Sequence, residues 1–181
     1  MRISQFNALS TDEAVRDLLK CCGSRRWAML MAARRPYPSL ASVLESAAEI
    51  FARLDPADRL EAFQSQPGIV QLAELHREED LSTFEPTAGR TLSRRAKGRS
   101  GALDELARAD EQARRRFGFP LVICPVGRSV ETLLEIARAR VRNRKEEEIR
   151  AASEELLSWM KIRLGALFRE ETLANPSSNN D

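Results

Sequence analysis

Apolar residues in this chain recur at steps of three and four in one segment after another, and several of those segments open on serine or aspartate and close on glycine or proline. Such spacing lays one apolar stripe along each of a series of α-helices, which bury their stripes against one another. The longest stripe is Ile149, Ala152, Leu156, Met160, Leu164 and Leu167, on a helix expected over about 146–171. Ser10-Thr11-Asp12-Glu13 has capping-box spacing and opens the series Ala14, Leu18, Leu19 and Cys22, which Gly23 stops. A short helix is expected from Arg26 to Ala33, broken by Pro36 and Pro38. Ser39 caps a helix with Val43, Ala47, Ile50, Phe51 and Leu54 on one face. Asp55-Pro56 starts another, running to about Phe63 and ended by Pro67. Helices are also expected from Ala102 to about Arg116 and, capped by Ser129, through Val130, Leu133, Leu134, Ala137 and Val141.

Two stretches break the pattern. Residues 79–101 hold Pro86, Gly89, Gly98 and Gly101 among serines, threonines and arginines, and read as a long loop with at most one turn of helix. Leu121-Val122-Ile123-Cys124-Pro125 is the one strand-like run, too short for a sheet and without a visible partner, so a buried extended connector is expected. The fold class is therefore all-α, a single-domain helical bundle over residues 1–173 with a disordered polar tail at 174–181.

Composition excludes several functions. No run approaches the roughly 18 apolar residues of a membrane span, and Met1-Arg2-Ile3-Ser4-Gln5 lacks the apolar core of a secretory signal. Lys plus Arg is 29 against 27 Asp plus Glu, a net charge of +2, too even to point to nucleic acid. Three cysteines, two of them adjacent, make a poor disulfide framework and suit a reducing, cytoplasmic setting. With one histidine and no CxxC, a metal site is not expected.

Four features carry possible chemistry. Cys21-Cys22 could be a reactive pair, but a helix C-terminus raises a thiol pKa, so packed thiols are the better reading. His76 could be a general base; its acidic neighbours favour a protonated surface histidine. Arg94-Arg95-Ala96-Lys97-Gly98-Arg99 and Arg114-Arg115-Arg116 could hold phosphate; nearby acids and the lack of stacking aromatics favour solvated charges. Arg163, beside the stripe position Leu164, either grips an anion between helices or packs its stem on the core.

Seven strings in order extend this reading: Phe6-Asn7 with Leu9; Cys21-Cys22-Gly23-Ser24-Arg25-Arg26-Trp27; Met31-Ala32-Ala33-Arg34-Arg35-Pro36-Tyr37; Leu60-Glu61-Ala62-Phe63; Phe117-Gly118-Phe119; Ile123-Cys124-Pro125-Val126-Gly127-Arg128-Ser129; and Lys161-Ile162-Arg163-Leu164. Together they resemble the OHCU decarboxylase family, which converts 2-oxo-4-hydroxy-4-carboxy-5-ureidoimidazoline to (S)-allantoin. The resemblance implies an all-helical fold, commonly a homodimer, with a cleft for a small anionic heterocycle and neither cofactor nor metal. It implies substrate contacts at Pro67, Ala96, Ile123 and Arg163, and the chemistry at Gln66 and Lys97.

The chain departs from the family where the proton is handled. The family's His-Pro-x-[Ile/Leu]-Gly reads Gln66-Pro67-Gly68-Ile69-Val70, and its Ser-x-x-Glu-Gln-Ala-Gly reads Ser93-Arg94-Arg95-Ala96-Lys97-Gly98-Arg99. The histidine position holds Gln66, the glutamate position Ala96 and the glutamine position Lys97. An imidazole shuttles protons near pH 7, whereas an amide only donates and accepts hydrogen bonds. General acid–base catalysis contributes roughly 10²–10⁴-fold. Three expectations follow: a divergent decarboxylase in which Lys97 or a water takes the proton role, a member diverted to another reaction, or a pseudoenzyme that binds without turnover.

Overall fold

The computed structural model describes residues 1–71 and 100–168. Among them the chain forms no strand, the start of a helix at 69–71, and eight helices described throughout: α1 (Ile3–Ala8), α2 (Thr11–Cys22), α3 (Arg25–Ala33), α4 (Leu40–Ala52), α5 (Pro56–Gln64), α6 (Ser100–Phe117), α7 (Val130–Arg140) and α8 (Lys145–Leu167). The all-α expectation holds. The loop expected over 79–101 lies almost wholly, and the tail at 174–181 entirely, outside the described residues. Two compact units form: Met1–Asp58 with the chain from Trp159, and Arg59–Ser158.

Local capping chemistry sets the helix boundaries. The Glu13 amide donates to Ser10 Oγ at 3.3 Å, and Glu13 Oε2 accepts from the Ser10 amide at 3.0 Å. Gly23 then ends α2 in the left-handed region, φ 87°, where a side chain would be strained. Ser24 follows at once as the cap of α3, accepting from the Trp27 amide at 3.2 Å. Ser39, Asp55 and Ser129 cap α4, α5 and α7 in the same way. The expected caps therefore all form, each satisfying an amide the helix cannot satisfy itself.

In the first unit α2 packs on α3 and α3 on α4. Phe6, Leu18, Trp27, Met31 and Phe51 are almost fully buried. Phe6 meets Phe168 edge-on at 5.2 Å and stacks near Tyr37 at 6.5 Å. Trp27 Nε1 donates to Ala47 O at 3.1 Å, tying α3 to α4. Helix α1, six residues long, is too short to show a period. Asn7 exchanges hydrogen bonds with the Tyr37 backbone at 2.8 and 2.9 Å, and Arg35 Nη1 donates to Phe6 O and Leu9 O.

In the second unit α6 packs on α7. Phe63 and Phe119 lie 4.9 Å apart, with Phe117 6.0 Å from Phe119. Leu121 to Pro125 run extended and buried, as expected. Among the described residues no strand lies beside it, and charged side chains meet four of the connector's backbone groups. The Leu121 amide donates to Asp110 Oδ1 at 2.8 Å, and the Cys124 amide to Glu155 Oε2 at 2.9 Å. Val122 O accepts from Arg140 Nη1 at 2.6 Å, and Cys124 O from Arg128 Nη1 at 3.1 Å. Desolvated peptide groups cost free energy unless paired, which is why these ionic side chains turn inward.

The expected stripe of α8 holds at Ala152, Leu156, Met160 and Leu164 and shifts at both ends. Glu148, not Ile149, is buried, and Phe168 is buried where Leu167 is partly exposed. Glu148 turns inward to Arg140, whose Nη2 and Nε reach its carboxylate at 2.5 and 3.1 Å, while Asn143 Nδ2 adds a bond at 2.9 Å. Periodicity places charges outward, so it gave no sign of this pair.

Candidate functional site

Helix α5 ends at the first candidate. Its last turn leaves carbonyls without helical partners, and Gln66 Nε2 donates to Ala62 O at 2.8 Å and to Ser65 Oγ at 3.1 Å. The Gln66 side chain is buried, and both amide hydrogens go to its own chain turn. Pro67 is partly exposed beside it, and Ile69 is fully buried.

Ile123, on the connector of the same unit, is fully buried. The segments carrying Gln66 and Ile123 are tied where they adjoin: Phe63 packs on Phe119, and Gln64 Nε2 donates to Gly118 O at 2.9 Å. Gly68 lies so close to α6 that a Cβ there would stand 3.3 Å from Asp110 Oδ2.

Arg163 belongs to the first unit. Its guanidinium lies 4.5 Å from the Trp159 ring centroid, and Nη1 donates to Cys21 O at 3.2 Å. The indole face and the carbonyl at the end of α2 therefore fix the orientation of a permanent positive charge. Ala96, Lys97 and His76 lie outside the described residues.

The competing features resolve plainly. Burial pushes the Cys21 thiol up from 9.0 to about 12, with the Arg163 charge opposing. The packed-thiol expectation holds, though burial rather than the helix end is the leading cause. Arg114 and Arg115 pair with Asp110 and Glu111, and Arg116 donates to Val141 O and lies over the Phe117 ring, so this triplet is internally paired. The other basic cluster, 94–99, lies outside the described residues. Among the described residues no group of His, Cys, Asp or Glu is placed to hold a metal, and no helix is long and apolar enough to cross a membrane.

Sequence reasoning missed the ionic side chains that carry the connector: Asp110, Arg128, Arg140, Glu148 and Glu155. One signal did point to them. A buried extended run without a strand partner needs side-chain partners for its amides and carbonyls.

The fold is all-helical, with a capped α5, a buried connector at 121–125 and an arginine seated on an indole ring. The family model for OHCU decarboxylase matches residues 7–165, and the chain belongs to that family. A crystal structure of OHCU decarboxylase in the presence of (S)-allantoin is 28% identical, with TM-score 0.66 over 84% of this chain and 98% of that one. An (S)-allantoin synthase structure, 16% identical with TM-score 0.63 over 91% of this chain and 53% of that one, shares the fold. Among curated relatives, the uric acid degradation bifunctional protein TTL of Arabidopsis thaliana is 28% identical over 155 residues, 83% of this chain and 46% of that protein. The uric acid degradation bifunctional protein of Bacillus sp. (strain TB-90) is 26% identical over 174 residues, 94% of this chain and 33% of that protein. The chain thus spans less than half the length of these two relatives.

Proposed function

We propose that this chain acts on a urate-derived ureido-imidazoline, or a closely related small anionic heterocycle, in cofactor-free decarboxylation within purine breakdown. The observation that carries this reading is its match to 98% of the OHCU decarboxylase crystallised with (S)-allantoin. In such a reaction the bond to the carboxylate carbon breaks and the electron pair passes into the conjugated ring. Carbon dioxide leaves as that bond breaks, and a proton then reaches one ring face. The protein's work is to hold the carboxylate out of the ring plane and to deliver that proton.

Arg163 suits the anion: its planar fork matches a carboxylate, and Trp159 with Cys21 O fixes it before substrate arrives. Pro67, Ala96 and Ile123 are the proposed lining. Gln66 orients by hydrogen bonding and moves no proton, since an amide does not titrate near neutral pH. The proton role falls to Lys97 or a water it holds; a lysine near apolar groups can fall toward neutral pKa. The same reading carries a cytoplasmic homodimer, checked for assembly by light scattering.

The test generates the substrate in situ from urate and follows the optical rotation of allantoin as it forms. A rate above the spontaneous one is expected, with a further rise in Gln66→His. A rate equal to the spontaneous one refutes the proposal. It would favour a second reading, a binding protein without turnover, to which the commitment of both Gln66 amide hydrogens inside the protein already lends weight.

A further inference from the structure

We infer that Asp110 is a positioning residue for the proposed site, locking the Gln66-Pro67-Gly68 turn to the connector that carries Ile123. The inference rests on the proposed reading only in taking those residues as site residues. Asp110 sits on α6 with its side chain 10% exposed. Each carboxylate oxygen has a separate task. Oδ1 accepts the Leu121 amide at 2.8 Å, two residues before Ile123. Oδ2 accepts Arg114 Nε at 3.0 Å and faces Gly68, next to Pro67.

The approach to Gly68 is tight. An added Cβ would stand 3.3 Å from Oδ2 and 3.6 Å from Arg114 Nη2, so any side chain at 68 pushes on the carboxylate. A carboxylate pushed at Oδ2 tilts at Oδ1, and the Leu121 amide follows. Two neutral ties, Gln64 to Gly118 O and Phe63 on Phe119, bring the same segments together. Asp110 is the charged group between them, kept despite the desolvation it costs and partnered by Arg114 toward solvent.

Amide hydrogen exchange on isotope-labelled full chain tests this. Asp110→Ala should speed Leu121 exchange by about 10-fold, the loss of one net hydrogen bond, while Leu133 and Ala137 in α7 stay unchanged. Asp110→Asn keeps an acceptor and should restore most of the protection. Gly68→Ala should shift the Leu121 amide resonance and speed its exchange, and that effect should vanish in the Asp110→Ala background. A Leu121 amide indifferent to Gly68→Ala, or a response that persists without Asp110, overturns the inference. Should Asp110→Ala fail to fold, Asp110→Asn substitutes in the cycle, because its neutral amide must weaken the transmitted shift. In turnover, Asp110→Ala should lower kcat by about 10-fold or more with KM little changed, and Asp110→Asn should recover it. A general loss of folded protein would also lower apparent kcat at unchanged KM, so kcat is taken per folded chain, with the folded fraction measured by circular dichroism, and only a drop in that normalised kcat counts for the positioning role. If wild-type protein does not accelerate the reaction, the proposed function falls, and the exchange cycle alone decides the role of Asp110.

Discussion

Glu148→Leu should be among the most damaging single substitutions in this protein. Glu148 is fully buried, and its partner Arg140 has a side chain only 8% exposed. Removing the acid leaves a guanidinium in the interior with Val122 O as its one remaining partner among the bonds described above. An uncompensated buried charge of this kind costs about 3–5 kcal/mol, and Arg140→Met should cost a similar amount by stranding the carboxylate with only Asn143. The double substitution removes both charges and leaves chiefly Val122 O unsatisfied, a cost of about 1–3 kcal/mol. The double variant should therefore be more stable than either single one. Urea unfolding followed by circular dichroism reads this as a shift of midpoint at constant slope. The half-exposed pair Glu105–Arg138, with side chains 39% and 53% accessible, is the internal control and should shift the midpoint little when broken. Small single losses, or single losses that simply add in the double variant, would refute the argument that desolvation governs this pair.

Further outcomes follow from the same geometry. Because burial raises the Cys21 thiol from 9.0 to about 12, its contribution to stability is complete below pH 9 and is lost as pH climbs toward 12. The unfolding midpoint should fall over that interval, less steeply in Cys21→Ala, and Cys21 should resist alkylation unless the chain is unfolded; equal slopes would contradict this. Trp27→Phe removes the indole donor to Ala47 O, which keeps its helical amide partner, and should cost about 0.5–1.5 kcal/mol by thermal or urea unfolding. Gly127, at φ 75°, should lose about 1 kcal/mol on substitution by alanine, whereas Gly165→Ala inside α8 meets nothing within 4 Å and should gain about 0.5–1 kcal/mol by helix propensity. The same melts decide both signs.

How much was legible in the chain can be judged residue by residue. Ser10, Gly23, Ser39, Asp55 and Ser129 marked their boundaries because capping is a contest among backbone groups a few residues apart. The Leu121–Pro125 run showed itself as a connector by its length and lack of partners. The substitution at Gln66 was readable from its motif, yet its commitment to Ala62 O and Ser65 Oγ needed the turn geometry. Helix α1 left no periodic trace, since six residues make fewer than two turns.

The order of amino acids by itself determined the all-α class, the boundaries of the helices that carry a cap or a glycine or proline stop, and the strings that place the chain in its family, because all of these depend on neighbours in sequence or on spacing along one helix. Tertiary structure alone decided which charges turn inward. Asp110, Arg140, Glu148 and Glu155 look like surface residues on their own helices. Asp110, Arg140 and Glu148 are buried, and Glu155 is partly so, because a segment distant in sequence presents amides and carbonyls, or a partner charge, for them to meet.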